Sequence, residues 1–430
     1  MKDTVFFKRD NTITPEQASY YKDLLYRGIK IGTEIEVSPP KGVKRPVFEE
    51  AVKEDLHPSG TYEHLGETGV LDVKPEHCGI ELRVIGRHPH YQAMFSQFSD
   101  IMSILRKHGA RPRPICGMHF HLIPVGISEP IPEIILANLW NLVRRYAPAL
   151  KFICSCGDKP ERLCRRRNHN SHLELVKHSS GTTRMPVIQE MLKQSHIVPE
   201  HQNFMNLQHV WFDERGDVSR FHIEFRFPDV DLCPASIVAK IFLVLAISLK
   251  AVDLSQFGVI HVGKYSLWKR KKSLLDMLSN NEGYGGGSDT SQLTWEDIEE
   301  IKGYGWELLD LLGTVFSRFE NNPSLDILYL LNETPISLMR TSGMSWEDIN
   351  RLVNARSRAS LNEFDNIDLR LIKIVELMEI DEMPDDKSWC WQVAKELRLT
   401  PQELQRRLRK LEKTRGMTWN HEKGTMVFRK

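Results

Sequence analysis

The sequence lacks the features that would assign it to several large classes of protein. Its 430 residues contain only seven cysteines, an odd and sparse number that fits a reducing compartment better than a disulfide-linked scaffold. Lys and Arg (58) nearly balance Asp and Glu (57), so the net charge of +1 gives no global attraction to nucleic acid or to a membrane surface. Residues 1–17 contain no apolar segment, and we therefore expect no secretory signal.

No apolar run is long enough to indicate a transmembrane helix. The most hydrophobic stretch, residues 237–252, is shorter than the ~18 uninterrupted apolar residues of a membrane span and is interrupted by Lys240 and Lys250. We expect this stretch to form a buried helix, and we expect a cytoplasmic protein with no membrane partner.

Two nucleotide-binding motifs and one catalytic motif are also missing. The sequence contains no G-x-x-x-x-G-K-[ST], no G-x-G-x-x-G after a strand in a βαβ context, and no G-x-S-x-G nucleophile elbow. The first absence excludes a P-loop nucleotide site, and the second argues against a Rossmann site.

Changes in composition divide the chain into four predicted parts. Residues 280–293, rich in Gly, Ser and Asn, form the one clear linker. We expect residues 1–279 to form an α+β catalytic domain. Residues 294–360 are predicted to be a helical connector, because their apolar side chains recur at helical spacing, and residues 361–430 are predicted to form a small C-terminal domain.

Four short segments of the first part alternate apolar and polar side chains with the period of a β-strand. An ordinary solvated strand face carries Thr, Ser and Lys, whereas Glu, His and Arg occupy the polar positions here. These positions are Glu34 and Glu36 in residues 31–37, Glu81 and Arg83 in residues 79–85, His119 and His121 in residues 117–122, and His222, Glu224 and Arg226 in residues 221–227. We expect an antiparallel sheet with one apolar face and one polar face that carries chemistry; a merely solvated face is the simpler alternative.

Four glutamates on one sheet face repel one another unless cations neutralise them. Mg²⁺ accepts carboxylate oxygens together with phosphate oxygens and water, and arginine side chains match the geometry of phosphate. The residues therefore favour a site for Mg²⁺ and a polyphosphate. The two histidines leave a second hypothesis open, a zinc metallohydrolase that uses His119 and His121 as ligands.

The order of the four segments resembles the amidoligase family, which consists of glutamine-synthetase-like carboxylate–amine ligases. The matching motifs are G-T-E-I-E-V at 32–37, G-I-E-L-R at 79–83, C-G-M-H-F-H at 116–121 and H-I-E-F-R at 222–226, followed by an apolar helix at 235–252. The resemblance covers about residues 28–255. It implies an α+β fold with an antiparallel sheet of the glutamine synthetase type and helices on its apolar face.

The resemblance also implies an activity and its residues. It implies an enzyme that uses ATP and Mg²⁺ to join a peptide or protein carboxylate to an amine through an acyl phosphate. Arg226 would contact the nucleotide phosphates beside Arg83 and His222, and the base for the amine would be His121, His222 or an unassigned carboxylate. The implied Mg²⁺ ligands are Glu34, Glu36, Glu81, His119 and Glu224. The rival hypothesis is a non-catalytic ligase-like adaptor that binds protein or DNA through its C-terminal domain.

The segment between the third and fourth motifs contains two further features. Acyl phosphates hydrolyse in water, and the polar, basic residues 158–184 are the predicted loop that would cover the site. Cys154, Cys156 and Cys164, with His169 and His172 nearby, are a candidate zinc cluster, although reduced buried thiols are the simpler explanation.

The last part of the chain has the pattern of a winged helix–turn–helix domain. Helices are predicted at residues 366–380 and from Ser388, and Thr400-Pro401-Gln402-Glu403 has the form of a capping box at the start of a third helix. Met417–Asn420 and Thr425–Phe428 are predicted to pair as a two-stranded wing. Residues 361–390 contain nine acids and three bases, so we expect a protein partner, with DNA less favoured because acidic residues repel it.

Overall fold

The structure is a computed structural model. It describes residues 6–7, 11–56, 69–113, 116–125, 127–156, 204–262, 265–278, 293–319 and 321–362, and then residues 371, 393–395, 397–400, 402–408, 417–420 and 425–428. Three predicted segments lie outside these ranges: the covering loop at residues 158–184, residues 280–292 of the linker, and most of the helix at 366–380.

The centre of the fold is a six-stranded antiparallel sheet with the strand order β3-β4-β2-β5-β7-β6. The prediction of an antiparallel sheet is confirmed, and the four predicted segments are its four adjacent inner strands, β4, β2, β5 and β7. A separate pair of two-residue strands, β1 and β8, also runs antiparallel. The strands are β1 (Phe6–Phe7), β2 (Ile29–Val37), β3 (Val70–Glu76), β4 (Gly79–Arg87), β5 (Met118–Pro124), β6 (Met205–Phe212), β7 (Val218–Phe225) and β8 (Val259–Ile260).

Helices surround the apolar side of this sheet. They are α1 (Pro15–Gly28), α2 (Arg45–Leu56), α3 (Tyr91–Lys107), α4 (Glu133–Ile153), α5 (Pro234–Leu254), α6 (Tyr265–Leu278), α7 (Trp295–Phe316), α8 (Ser324–Glu333), α9 (Ile336–Thr341) and α10 (Trp346–Asn362). The mixed helix and antiparallel sheet architecture therefore agrees with the predicted α+β class.

The alternation of the strands separates an apolar face from a polar one. Ile35 on β2, Leu82 on β4, Phe120 on β5 and Ile223 on β7 are all buried in one hydrophobic cluster with residues of α4 and α5. Because consecutive strand residues point to opposite faces, the Glu, His and Arg residues between them point away from this core. The core thus fixes which side of the sheet carries the site.

The predicted buried helix is the most apolar element of the core. Helix α5 has the length and composition of a membrane span, but its apolar window is wholly buried among the other described elements. Its one fully buried lysine, Lys240, forms an ion pair with Asp231. A buried charge is tolerated only with such a partner, so this pair belongs to the core of a globular fold.

The helices of the predicted connector pack against the sheet-bearing part. Helix α7 contacts α4, and α8 contacts α5. Apolar residues between 308 and 353 belong to the same hydrophobic cluster as the sheet. These helices therefore complete the core of the preceding part. The division into four domains stays a prediction.

The C-terminal hairpin has the predicted strands. Strands β9 (Met417–Asn420) and β10 (Thr425–Phe428) pair antiparallel, with Met417 opposite Phe428. The hydroxyl of Thr400 accepts a hydrogen bond from the backbone N–H of Glu403 at 3.2 Å, as the predicted helix start requires. The hairpin is confirmed, and the complete winged-helix domain stays a prediction.

Candidate active site

The polar face of the sheet forms the floor of a cleft of about 360 Å³ that all nine predicted site residues line. Two more residues, Glu76 and His209, line the same cleft. The structure therefore brings together side chains from four separate sequence motifs. The nine are Glu34, Glu36, Glu81, Arg83, His119, His121, His222, Glu224 and Arg226.

Strand register places these side chains opposite one another. Glu34 on β2 lies between Arg83 on β4 and His119 on β5, its two register partners. One strand further, His121 is the register partner of Glu224. Side chains opposite each other on one face of an antiparallel pair have Cβ atoms roughly 5 Å apart, which is close enough for direct contact.

Three of these residues could bind one metal ion. Ligand atoms of Glu34, His119 and Glu224 all lie within 4.8 Å of one another. Nδ1 of His119 lies 3.1 Å from Oε2 of Glu34 and 3.2 Å from Oε1 of Glu224. No other group of three His, Cys, Asp or Glu side chains is placed in this way within the described ranges.

The two carboxylates of this group are stabilised in their charged form. Burial acts to raise the pKa of Glu34, but hydrogen bonds with His119 and His121 outweigh it and hold that pKa well below its ordinary value. Burial likewise opposes ionisation of Glu224, and the charges of His119 and Arg226 still lower its pKa. Both side chains are therefore ionised at neutral pH and are able to bind a cation.

Glu36 and Glu81 are like charges placed directly opposite each other on β2 and β4. Burial and the nearby charge of Glu34 raise the pKa of Glu81. Nε of Arg83 already lies 2.9 Å from Oε1 of Glu81, and a further cation would offset the repulsion that remains between the two carboxylates. The pair thus marks a second position at which positive charge would be favourable.

The backbone at Gly117 holds Glu36 in place. Its N–H donates a hydrogen bond of 2.7 Å to Oε2 of Glu36. A Cβ at this position would lie 3.0 Å from Nε2 of His119, which is tighter than most real contacts. A side chain at this position would therefore require the ring of His119 to shift by a few tenths of an ångström.

Both predicted phosphate-binding arginines already contact carboxylates of the cleft. Nε of Arg83 lies 2.9 Å from Oε1 of Glu81 and 3.5 Å from Oε1 of Glu34. Nη1 of Arg226 donates a hydrogen bond to Oε1 of Glu224. A guanidinium group carries five N–H donors, so these contacts leave donors for an anionic ligand.

His121 and His222 form a hydrogen-bonded pair. Nδ1 of His121 lies 2.9 Å from Nε2 of His222, so one ring donates a hydrogen and the other accepts it. Burial, followed by the charges of His121 and His209, lowers the pKa of His222. At least one ring of the pair is therefore neutral, and a neutral imidazole can accept a proton.

Sequence reasoning missed three residues of the site. The side-chain amide of Asn206 on β6 donates a hydrogen bond of 3.1 Å to Oε2 of Glu224, and Glu76 and His209 line the cleft. The pairing of β6 with β7 shifts between Asn206 and His209, so the polar positions of β6 do not alternate regularly. In β3 the alternation of Asp72, Lys74 and Glu76 is present but includes a lysine and resembles a solvated strand.

The candidate zinc cluster is only partly described, because Cys164, His169 and His172 lie outside the described ranges. Cys154 and Cys156 are buried. Burial raises the pKa of Cys154 to about 12, and the fully buried ammonium of Lys240 interacts electrostatically with both thiols. A thiol that burial keeps protonated is a poor zinc ligand, so these two residues fit reduced core cysteines.

Comparison with known proteins gives distant structural likeness and no match of sequence. No protein-family model and no curated protein sequence matches this chain. The solved structure of the ligase PafA in complex with the prokaryotic ubiquitin-like protein Pup is 10% identical, with a TM-score of 0.36. The match covers 87% of this chain and 72% of that one. A likeness at this level does not bear on the function of this chain.

Proposed function

We propose that this protein is an ATP- and Mg²⁺-dependent ligase that joins a carboxylate to an amine. The observation that carries the proposal is the placement of Glu34, His119 and Glu224, whose ligand atoms lie within 4.8 Å on the polar face of an antiparallel sheet. The four motifs that line this cleft are also those whose order resembles the amidoligases.

The charge of the cleft fits divalent cations. Five glutamates and two arginines line it, which leaves a surplus of negative charge when the histidines are neutral. Glu34, His119 and Glu224 would hold one ion, and Glu36 and Glu81 would contribute to a second. When bound, Mg²⁺ neutralises charge on the polyphosphate and on the transferring phosphoryl group.

The reaction proceeds in two steps. A carboxylate is a poor electrophile, so one of its oxygens first takes the γ-phosphoryl group of ATP, which yields an acyl phosphate and ADP. The amine then attacks the acyl carbon, the C–O bond to phosphate breaks, and an amide and free phosphate are released. The protein must orient the two substrates and exclude water, since water would otherwise hydrolyse the acyl phosphate.

Residues of the cleft have distinct roles in these steps. Arg226 binds phosphate oxygens with the donors that Glu224 leaves available, and Arg83 does the same from the opposite side of Glu34. The incoming amine arrives as an ammonium ion and must lose a proton before it attacks. The His121–His222 pair accepts that proton, because the lowered pKa of His222 keeps an imidazole neutral at physiological pH.

The zinc metallohydrolase is a weaker explanation of the same geometry. Such a site would direct both histidines of the H-x-H motif at one ion. Nδ1 of His121 contacts His222, and its Nε2 lies 3.5 Å from Oε2 of Glu34, but the group whose ligand atoms lie within 4.8 Å of one another combines His119 with the carboxylates of Glu34 and Glu224 and does not include His121. The donor set is therefore richer in carboxylate than in imidazole, which suits a hard cation.

The proposal is tested by trapping the activated carboxylate. The protein is incubated with ATP, Mg²⁺, hydroxylamine and a mixture of short glutamate-containing peptides, and ADP and peptide hydroxamates are measured. A ligase produces both in equal amounts, and Glu224→Gln produces neither. ATP binding without peptide-dependent ADP would favour the adaptor, and peptide cleavage without ATP would favour the hydrolase.

A further inference from the structure

A second cavity, of about 320 Å³, adjoins the cleft. His222 lines both spaces, so they lie side by side at that residue. Trp211 and Arg220 line the second cavity and are register partners on β6 and β7, two residues along from the pair His209 and His222. Because every second residue of a strand points to the same face, this cavity continues the polar face that carries the proposed active site. We call it the Arg220 pocket.

Arg220 is an exposed cation with no partner in the described part of the chain. Neither an ion pair nor a hydrogen bond joins its side chain to any other described residue. The one carboxylate that lines the pocket, Glu129, accepts a hydrogen bond from the hydroxyl of Tyr20. Arg83 and Arg226, by contrast, are both paired with glutamates of the cleft. With respect to the described residues, Arg220 therefore has its full set of donors available for an anionic ligand.

An exposed tryptophan lies beside this arginine. The side chain of Trp211 is 52% exposed, although large aromatic residues usually bury most of their surface. Ile127 and Pro124 line the same pocket. The pocket thus combines one guanidinium group with an aromatic and apolar wall, as a site for a carboxylate on a carbon chain requires.

A row of rings connects the pocket to the cleft. The ring centroids of His121 and His222 lie 5.1 Å apart, those of His222 and His209 lie 5.6 Å apart, and those of His209 and Trp211 lie 6.1 Å apart. Arg220 precedes Glu224 by four residues on β7. At about 3.3 Å per strand residue, the anion site lies roughly 13 Å from the proposed metal site.

We propose that the Arg220 pocket binds an acidic side chain of an extended peptide substrate whose reacting group lies in the cleft. This inference rests on the proposed function. A span of roughly 13 Å corresponds to about four residues of an extended chain, so a free amino acid or a short dicarboxylic acid cannot occupy both positions. The adenine ring of ATP carries no negative charge and would leave Arg220 unpaired, so it is the less suitable occupant.

The test uses two acetylated, amidated peptides, Glu-Ala-Ala-Ala-Glu and Glu-Glu, with isothermal titration calorimetry in the presence of Mg²⁺ and a non-hydrolysable ATP analogue. The wild-type protein is expected to bind the longer peptide at least about 10-fold more tightly, because only that peptide reaches both positions. Arg220→Ala is expected to lose this advantage. It is also expected to bind the longer peptide no better than its Glu-Ala-Ala-Ala-Gln analogue.

The matched control is Arg215→Ala, which removes another exposed arginine from the turn between β6 and β7 that lines neither cavity. Its affinity for both peptides should equal that of the wild type. Titration of the ATP analogue alone separates this inference from the proposed function. Arg220→Ala should leave nucleotide affinity unchanged, whereas failure of the wild type to bind the nucleotide contradicts the ligase and not the pocket.

Three outcomes would overturn the inference. In the first, Arg220→Ala binds the longer peptide as the wild type does. In the second, it weakens nucleotide binding as much as peptide binding, and the pocket then belongs to ATP. In the third, the wild type binds neither peptide or does not distinguish their lengths.

Discussion

Glu34 and His119 are register partners on β2 and β5, and their side chains meet at 3.1 Å between Oε2 and Nδ1. The two residues are 85 positions apart in the chain, so only the strand order of the sheet brings them together. A slip of one residue in this pairing would turn the whole row of polar side chains of one strand into the apolar core. The buried residues of the opposite face therefore fix the geometry of the site as well as the stability of the fold.

Replacing either carboxylate of the metal group should abolish catalysis without unfolding the protein. We expect Glu34→Gln and Glu224→Gln to lower ATP turnover by about 100-fold or more, because each removes a charged ligand that Gln cannot replace. Far-UV circular dichroism should be unchanged. Glu214→Gln is a suitable control, since Glu214 is exposed in the turn between β6 and β7 and lines neither cavity. Wild-type turnover in both Glu34→Gln and Glu224→Gln would exclude the proposed metal site.

Glu81 offers a test through stability. Burial and the charge of Glu34 raise its pKa, so its ionised form is less favourable in the folded protein than in the unfolded chain. Without divalent cations, Glu81→Gln should raise the free energy of unfolding at pH 7, by at most about 1 kcal/mol.

The effect of Glu81→Gln has a defined pH dependence. A carboxyl whose pKa is raised in the folded protein does not lower stability while it is protonated in both the folded and the unfolded state. The stability gained by Glu81→Gln should therefore vanish below the ordinary glutamate pKa. Saturating Mg²⁺ should stabilise the wild type more than the variant, because the variant has lost a proposed ligand. Urea titrations with and without Mg²⁺ measure both effects; an equal response to Mg²⁺ would remove Glu81 from the ligand set.

Arg226→Lys separates the phosphate-binding role of this residue from a structural one. Lysine keeps the positive charge beside Glu224 but loses the planar fork that binds two oxygens at once. We expect kcat/KM for ATP to fall by about 10-fold or more while the melting temperature stays close to that of the wild type. Unchanged kinetics would mean that Arg226 serves only as the ion-pair partner of Glu224.

The buried Lys271 on helix α6 predicts how the stability of the protein changes with pH. Burial, followed by the charge of Arg145, lowers its pKa to about 8, and its ammonium donates a hydrogen bond of 2.8 Å to the backbone oxygen of Arg145. Between about pH 8 and pH 10.5 the unfolded chain binds this proton and the folded protein does not, so stability rises with pH.

The variant Lys271→Met lacks this titration. The free energy of unfolding of the wild type minus that of the variant should therefore increase across this window, by up to about 3 kcal/mol. Chemical denaturation at several pH values measures the difference, and other titrating groups cancel in it. A flat difference would show that Lys271 remains charged in the folded protein.

Local sequence patterns predict much of the sheet but not its assembly. The period-two alternation around Glu34, Glu81, His119 and Glu224 identifies four strands, because one face of each must be buried. Nothing in those segments specifies that β2 lies between β4 and β5, since strand order depends on contacts between distant parts of the chain. The resemblance implied an antiparallel sheet of the glutamine synthetase type and gave no strand order.

Sequence reasoning missed other residues for the same physical reason, because their roles depend on contacts between distant parts of the chain. Asn206 and His209 lie on the bulged strand β6, whose alternation is interrupted between them, and their contribution depends on pairing with β7. The helical segment after residue 294 has a clear periodicity, yet its packing on α4 and α5 comes from long-range contacts that helical spacing does not encode. The Arg220 pocket is likewise visible only after β6 and β7 are paired.

The central claim is that the polar face of the sheet binds ATP through divalent cations, and isothermal titration calorimetry of ATP tests it most directly. The wild type should bind ATP in the presence of Mg²⁺, and affinity should fall by about 10-fold or more when EDTA replaces Mg²⁺ or when Glu34 is replaced by Gln. Equal affinity with Mg²⁺ and with EDTA, or no binding of ATP by the wild type, would contradict the account.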